Sequence, residues 1–371
     1  MTNTRDICKS IFLLHALGDT IGFKNAIWEF NYNDYNMSDI RVTIEIISEF
    51  IALGGITNID LSGWHISDDT LLNYEIAKFV LDLKIKETIN DDNINKLKKQ
   101  LQNFITKEIK SNIERGYGST TIKSIEKFTD KIDERSEPYN SKSGGNGCSM
   151  RTLSIGIRFH KDEDLDKLIN VSIITSKITH NSPIGFLGGL ATAYFVKLAL
   201  NKVDITDWPF MLIELYQSKE VKKYIDIDND NIYFDYRNCI KVWKEYISLF
   251  FDEKTKKPLN LKTSINLLSR FKIIYDLNEI MSTPFTTMGG GNGQTAVIMA
   301  YNSLLDCNGI WEKLVYYGML HGGDSDTVGA IAGGLYGAVY GSKDISDNLL
   351  KHLEMKDKLI EIGEKYYDNY L

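Results

Sequence analysis

An all-α fold is predicted by three features of this chain. Apolar residues recur at three- and four-residue spacings, as in Leu71, Leu72, Ile76, Phe79, Val80 and Leu83. Helix-start signals such as Ser67-Asp68-Asp69 and Ser182-Pro183 stand directly before periodic stretches. Segments with the strict alternation of a half-buried strand are almost absent.

Taken in order, residues 6–22 read as a helix ending in Gly18-Asp19-Thr20-Ile21-Gly22, followed by an aromatic, irregular stretch from Phe23 to Tyr35. A helix at about 39–53 is broken by Gly54-Gly55. Trp64 to Thr70 leads into the periodic helix beginning near Leu71, and residues 92–113 form a lysine-rich amphipathic helix with a solvated charged face. Gly116 to Thr121 precedes a helix at 120–128, and 130–142 is polar loop. Ser143 to Arg151 is a second glycine loop running into a helix. Helices at 164–178 and 184–200 flank Thr179 to Pro183, with Pro183 at a first-turn position. From 201 to 262 the pattern loosens into short helical pieces around the acidic loop Asp226 to Asn231. Gly289 to Gly293 feeds a helix at 294–305, and helices at 310–320, 327–340 and 346–369 close the chain. No linker is long enough to divide it, so residues 1–371 are expected to form one domain.

The chain is organised around His321-Gly322-Gly323-Asp324-Ser325-Asp326-Thr327. Two carboxylates two residues apart, beside a hydroxyl, converge hard oxygen donors that suit Mg²⁺, Mn²⁺ or Ca²⁺ rather than zinc. Gly329, Gly333, Gly337 and Gly341 then recur every four residues, on one face of a helix. Each glycine inside a helix costs about 1 kcal/mol against alanine. That cost predicts a second backbone passing very close to this face. An ordinary N-cap accounts for one aspartate but leaves the second carboxylate and the glycines unexplained. A membrane GxxxG helix needs about 20 apolar residues, more than this run supplies.

Composition narrows the function. The 371 residues are 43% hydrophobic and 25% charged, ordinary for a soluble globular protein. A net charge of −7 without any basic block argues against a nucleic-acid partner. The only N-terminal apolar run, Ile11 to Leu17, is too short and too interrupted for a membrane span or signal peptide. Cys8, Cys148, Cys239 and Cys307 lie far apart, without metal or redox spacing, and read as reduced. A cytoplasmic location is the expectation.

Several motifs fail on their own chemistry. Asp226 to Asn231 begins like a calcium loop, but Asn231 replaces the glycine and Arg237 the bidentate glutamate. Gly289 to Thr295 lacks the P-loop lysine, and Gly145-x-Gly147 lacks a third glycine and a preceding strand. Ser149 is not in a nucleophile elbow. Two signals remain. One is a pair of acidic clusters, Ser67 to Thr70 and Asp324 to Thr327, each at a helix N-terminus. Brought together they would repel unless cations lay between them, and a binuclear site can clamp vicinal hydroxyls and orient water. The other is three glycine loops feeding helices, at 116–121, 143–151 and 289–295, whose backbone N–H groups suit phosphate oxygens. Together they fit a ligand with a diphosphate at one end and a sugar diol at the other.

At these residues the chain resembles the ADP-ribosylglycohydrolase family, and within it the ADP-ribosylarginine hydrolases. The matching stretches are Gly18 to Gly22 with Asn25 and Trp28-Glu29-Phe30; Gly63 to Thr70; Gly144 to Arg151 with Ile155 to Phe159; Thr179-His180, Pro183 and Gly185; and His321 to Thr327 with Ala330 to Gly333. Residues 82–115 and 201–280 match only loosely. The resemblance implies a compact orthogonal helical bundle with two Mg²⁺ ions in a central cleft, Mn²⁺ being an alternative. Ser67, Asp68, Asp69, Asp324, Asp326 and Thr327 would be the metal ligands. Asn25, Gly118, Ser119, Gly144, Gly145, Asn146, Gly147, His180 and Gly291 would contact substrate. Glu29, Asp68, Asp69 and Asp324 would be catalytic, with Glu29 a base or a contact for the guanidinium leaving group. Two departures stand out: Asn146 replaces a small residue or cysteine, and Gly289 to Gly293 replaces a Ser/Gly loop. The implied activity is release of ADP-ribose from ADP-ribosylated arginine on proteins, by a monomer. Hydrolysis of O-linked ADP-ribosylserine or free ADP-ribosyl compounds, non-catalytic ADP-ribose binding, and a structural role are the alternatives.

Overall fold

A computed structural model describes residues 3–30, 40–84, 88–128, 138–252, 254–259 and 289–371. The ends of two segments read above as irregular, 31–35 and 130–137, lie outside them. Among the described residues the regular structure is helical, with only two isolated β-bridges, so the all-α expectation holds.

The N-terminal helix, Thr4–Phe23, is capped by Asn3, whose side chain accepts from the Arg5 N–H, and it ends where Lys24 turns left-handed. From Ser10 to Phe23 it is buried on every side. Against it, antiparallel, lies the central helix Ser325–Tyr340. A Cβ at Gly333 would stand 2.0 Å from the Leu14 carbonyl oxygen, and one at Gly337 2.5 Å from that of Ser10. The glycine ladder therefore has the expected cause: the two backbones touch. Gly341 is not on that face but ends the helix, with φ of 77°. The close pairing fixes how the two helices register, and hence where Asp19 sits relative to Asp326.

Around this pair pack the acidic-turn helix Asp68–Asp82 and the C-terminal helix Lys356–Tyr370. On the other side stand Gly293–Cys307 and Pro183–Leu200. Pro183–Leu200 is apolar and long enough to cross a membrane, but 94% of that stretch is buried among its neighbours. It is a core helix here. Phe195, Trp208, Trp243, Tyr246 and Tyr301 form an aromatic cluster beside it. Buried aromatic surface of this kind supplies much of the stability of a core.

Two elements differ from expectation. Besides the expected short pieces, Ile205–Asp207, Trp208–Gln217 and Lys219–Lys222, the 201–262 region contains a 21-residue helix, Asp230–Phe250. Its buried face, Tyr236, Cys239, Val242, Trp243, Tyr246 and Phe250, has helical spacing. The aromatic and β-branched residues on it are weak helix formers, so tertiary packing decides the outcome. The loop that begins like a calcium site is its cap, with Asn229 accepting from the N–H groups of Asn231 and Ile232. The final helix is also divided, into Asp347–Lys351 and Lys356–Tyr370, with Met355 left-handed between them.

Candidate active site

The helix Asp68–Asp82 is started by its sequence: Ser67 caps it, its Oγ accepting from the Asp69 N–H at 3.1 Å. A second acceptor reaches in from the N-terminal helix. Asp19, wholly buried, receives the Ser67 N–H at 3.0 Å, the Thr70 N–H at 3.1 Å and the Thr70 hydroxyl. Sequence reasoning quoted Asp19 within a motif but gave it no role. A carboxylate embedded in an otherwise apolar helix was the signal that it must have partners.

The second acidic turn is held by glycine loops. Asp324 donates its N–H to the Gly289 carbonyl at 2.8 Å, and Gly323 offers its carbonyl to the Phe30 N–H at 3.0 Å. The 289–293 loop in turn pairs with the 143–147 loop through a bridge between Gly145 and Asn292 and a Gly293 N–H to Gly144 carbonyl bond of 3.1 Å. Asn146 ties the two turns together by donating to Asp324 Oδ2 at 2.8 Å and to the Gly290 carbonyl at 2.9 Å.

These parts enclose a cleft of about 210 Å³. It is lined by Glu29, Asp68, Asp69, Asp324, Asp326 and Thr327 on its acidic side, and by Gly118, Ser119, Gly145, Asn146, Gly147, His180 and Gly291 elsewhere. Gly116, Thr120 and Thr121, from the glycine loop at 116–121, also line it, as do Phe30 and Met150, to which the sequence gave no role. Three assigned residues stand behind the lining. Ser67 is fully buried and donates its hydroxyl toward Asp326. Gly144 packs against Ile184. Asn25 lies on the outside, its side chain accepting from the His65 N–H at 2.7 Å and donating to the Gly63 carbonyl at 3.1 Å.

The electrostatics of the acidic side are those of too many like charges in too little water. Burial, followed by the neighbouring carboxylates, raises Asp68, Asp69, Asp326 and Glu29 well above the usual carboxyl range. Asp19 is pushed up to about 7, by burial first and Asp326 second. Burial raises Asp324 too, and its carboxyl lies close enough to Asp326 to share a proton. Glu29, Asp324 and Asp326 each bring a carboxylate oxygen within 4.8 Å of the other two. Asp69 Oδ2 and Asp324 Oδ1 are buried without any hydrogen-bond donor. Orphaned carboxylate oxygens among converging carboxylates are the donor set of a hard divalent cation. The residues fit one.

The opposite wall is neutral. Burial lowers His180 to about 3, so its imidazole is uncharged at neutral pH. Its Nδ1 pairs with Thr179 Oγ1 at 2.8 Å, and its ring lies so close that a Cβ at Gly147 would be 2.8 Å from Cε1. Near it the lining includes the hydroxyls of Ser119, Thr120 and Thr121 and the glycine backbone of Gly118, Gly145 and Gly147, suited to an anion that approaches closely.

Residues 1–370 match the family model described as ADP-ribosylglycohydrolase. The chain belongs to the ADP-ribosylglycohydrolase family. Among relatives, the ADP-ribosylhydrolase ARH1 of Dictyostelium discoideum is 29% identical over 96% of this chain and 92% of its own. A protein of Acanthamoeba polyphaga mimivirus, named as an ADP-ribosyl glycohydrolase, is 35% identical over 92% of this chain, which spans 65% of the viral protein's length. Murine ADP-ribosylhydrolase ARH3 is 23% identical over 65% of this chain. A solved structure titled ADP-ribosylglycohydrolase-related protein complex superposes over all of both chains, with a TM-score of 0.60 and 16% identity. That likeness extends the ADP-ribosylglycohydrolase assignment from sequence to fold.

Proposed function

We propose that this chain is a divalent-metal-dependent hydrolase that cleaves the N-glycosidic bond between ADP-ribose and an arginine guanidinium on modified proteins. The observation that carries this reading is the convergence of Glu29 with Asp324 and Asp326 at the acidic end of a cleft whose other end is backbone and hydroxyl. The end-to-end match with an ADP-ribosylhydrolase named ARH1, against a partial match with ARH3, supports the choice of branch.

Asp68, Asp69, Asp324, Asp326 and Thr327, which line the cleft, would hold Mg²⁺, with Ser67 behind them supporting Asp326. Bound there, Mg²⁺ would supply charge neutralisation and Lewis-acid polarisation of water and sugar hydroxyls. The protein's own groups do the rest. Gly145, Gly147 and Ser119 bind and orient the diphosphate-bearing part of the substrate through close backbone approach. Neutral His180 adds no competing charge. Glu29, half-buried at the acidic end, accepts the proton of the attacking water. The new bond joins the water oxygen to the anomeric carbon, the bond from that carbon to the guanidinium nitrogen breaks with its electron pair leaving on nitrogen, and the neutral guanidine so released takes the proton that Glu29 accepted from water. Water is consumed and nothing is oxidised.

The test is release of ADP-ribose from ADP-ribosylarginine and ADP-ribosylserine peptides, each in Mg²⁺ and in EDTA. Release from the arginine substrate in Mg²⁺ alone is expected. Preferential release from serine overturns the linkage, and binding without release makes the chain a reader rather than an enzyme.

A further inference from the structure

One ion pair stands behind two stretches of the cleft lining, the Asp68-Asp69 turn and the loop at 116–119. Arg115, 4% exposed, directs Nη1 to Glu354 Oε2 and Nη2 to Glu354 Oε1, both at 2.8 Å. The same Nη1 donates to the Ile66 carbonyl at 2.7 Å, and Glu354 Oε2 accepts the Ile66 N–H at 3.1 Å. The Arg115 carbonyl accepts the Asp68 N–H at 2.7 Å. Residues 66 and 68 are thereby gripped on both sides of Ser67. The next residue after Arg115, Gly116, faces Glu29: a Cβ there would lie 3.3 Å from Oε2. Two residues on, Gly118 donates its N–H to the Asp68 carboxylate. Glu354 comes from the break between the last two helices, next to left-handed Met355. A non-glycine residue held left-handed is strained and persists only where its surroundings dictate it.

We propose that Arg115 and Glu354 are positioning residues, a clamp that sets the direction of the Asp68 and Asp69 carboxylates for cation binding. This rests on reading the acidic end as a divalent-cation site. A forked guanidinium–carboxylate pair fixes angle as well as distance, which a single contact does not. The clamp touches neither substrate nor cation. Its effect is transmitted through the Ile66 and Asp68 backbone.

The experiment measures Mn²⁺ affinity of the full chain by calorimetry or electron paramagnetic resonance, alongside thermal melting. The proteins compared are the unsubstituted chain, Glu354→Ala, Glu354→Gln, Arg115→Lys and a control, Lys197→Met. Lys197 is a buried cation that bonds to the His160 carbonyl and Asp162, each at 2.7 Å, at residues that do not line the cleft. Glu354→Ala and Arg115→Lys are expected to weaken Mn²⁺ binding by about tenfold or more, as loss of supports behind metal ligands does. Glu354→Gln should fall between them and the unsubstituted chain. Lys197→Met should lower the melting temperature while leaving Mn²⁺ affinity within about twofold. If Glu354→Ala does not fold, Glu354→Gln and Arg115→Lys carry the comparison. Unchanged Mn²⁺ affinity in the folded clamp variants overturns the clamp and leaves the proposed function standing. Equal loss of affinity in Lys197→Met also overturns it, because general destabilisation would then suffice. Absence of Mn²⁺ binding by the unsubstituted chain overturns both.

Discussion

Gly18 and Gly329 meet backbone to backbone: a Cβ on Gly18 would lie 2.0 Å from the Gly329 carbonyl oxygen. Together with Gly333 against Leu14, this contact makes the two central helices a single unit that carries Asp19 on one helix and Asp324 and Asp326 at the start of the other. Even one methyl group has nowhere to go. Gly333→Ala is expected to destabilise the protein by at least about 3 kcal/mol, the upper range for overpacking. Chemical denaturation checks it, and a cost below about 1 kcal/mol would mean that the helices separate easily.

Asp324→Asn separates function from stability. The asparagine can still accept the hydrogen bond from Asn146, and it removes one of the charges that crowd Asp326. Turnover of ADP-ribosylarginine should fall by at least about 10²-fold. In EDTA, however, the melting temperature should stay level or rise. A large drop in stability together with activity would show that Asp324 is needed to build the turn rather than to do chemistry.

The raised carboxyl groups make stability depend on pH in a direction opposite to ordinary acid denaturation. In the folded protein Asp19 holds its proton to about 7, and Asp68, Asp69 and Asp326 are also raised by burial, whereas the unfolded chain releases these protons near pH 4. Above about pH 4 the folded state binds more protons, so stability falls as pH rises, the share of Asp19 being lost as pH passes about 7. Saturating Mg²⁺ supplies the missing positive charge and should flatten the slope. Melting curves from pH 4.5 to 8, with Mg²⁺ and with EDTA, test this. A rising EDTA curve across that window would contradict the raised values.

Most of the fold and the acidic end were legible because local chemistry announces them. Helical spacing, the helix start at Ser67-Asp68-Asp69 and the four-residue glycine rhythm each point to one structure. Asp230–Phe250 was obscured because its packing face is built from aromatic and β-branched residues that do not favour helix in isolation. The supporting residues were obscured for a different reason. Glu354 lies 239 positions from Arg115 in sequence, and no spacing rule connects residues that meet only after folding. The family resemblance implies a substrate contact at Asn146, while its amide is also spent on Asp324 and Gly290.

Glu29 carries the sharpest remaining prediction, because its position admits two tasks. Its carboxylate converges with those of Asp324 and Asp326, which is a ligand's geometry. It is also half-buried beside the cleft, reachable by water, with its proton affinity raised by burial and by Asp326 and Asp324, which is a base's chemistry. Glu29→Gln keeps the shape and one acceptor oxygen while removing both the charge and the ability to take a proton. If Glu29 performs both tasks, Mn²⁺ affinity should weaken by about tenfold. Turnover at saturating Mn²⁺ should fall by a further 10²-fold or so, the contribution of a positioned base. Calorimetric Mn²⁺ titration and kcat measured at saturating metal separate the two losses. Loss of affinity with full turnover restored by excess Mn²⁺ would leave Glu29 as a ligand alone, and the proton would then pass to an aspartate. Loss of turnover with unchanged affinity would make it a base alone, and the three-carboxylate cluster would have to bind its cation through the two aspartates.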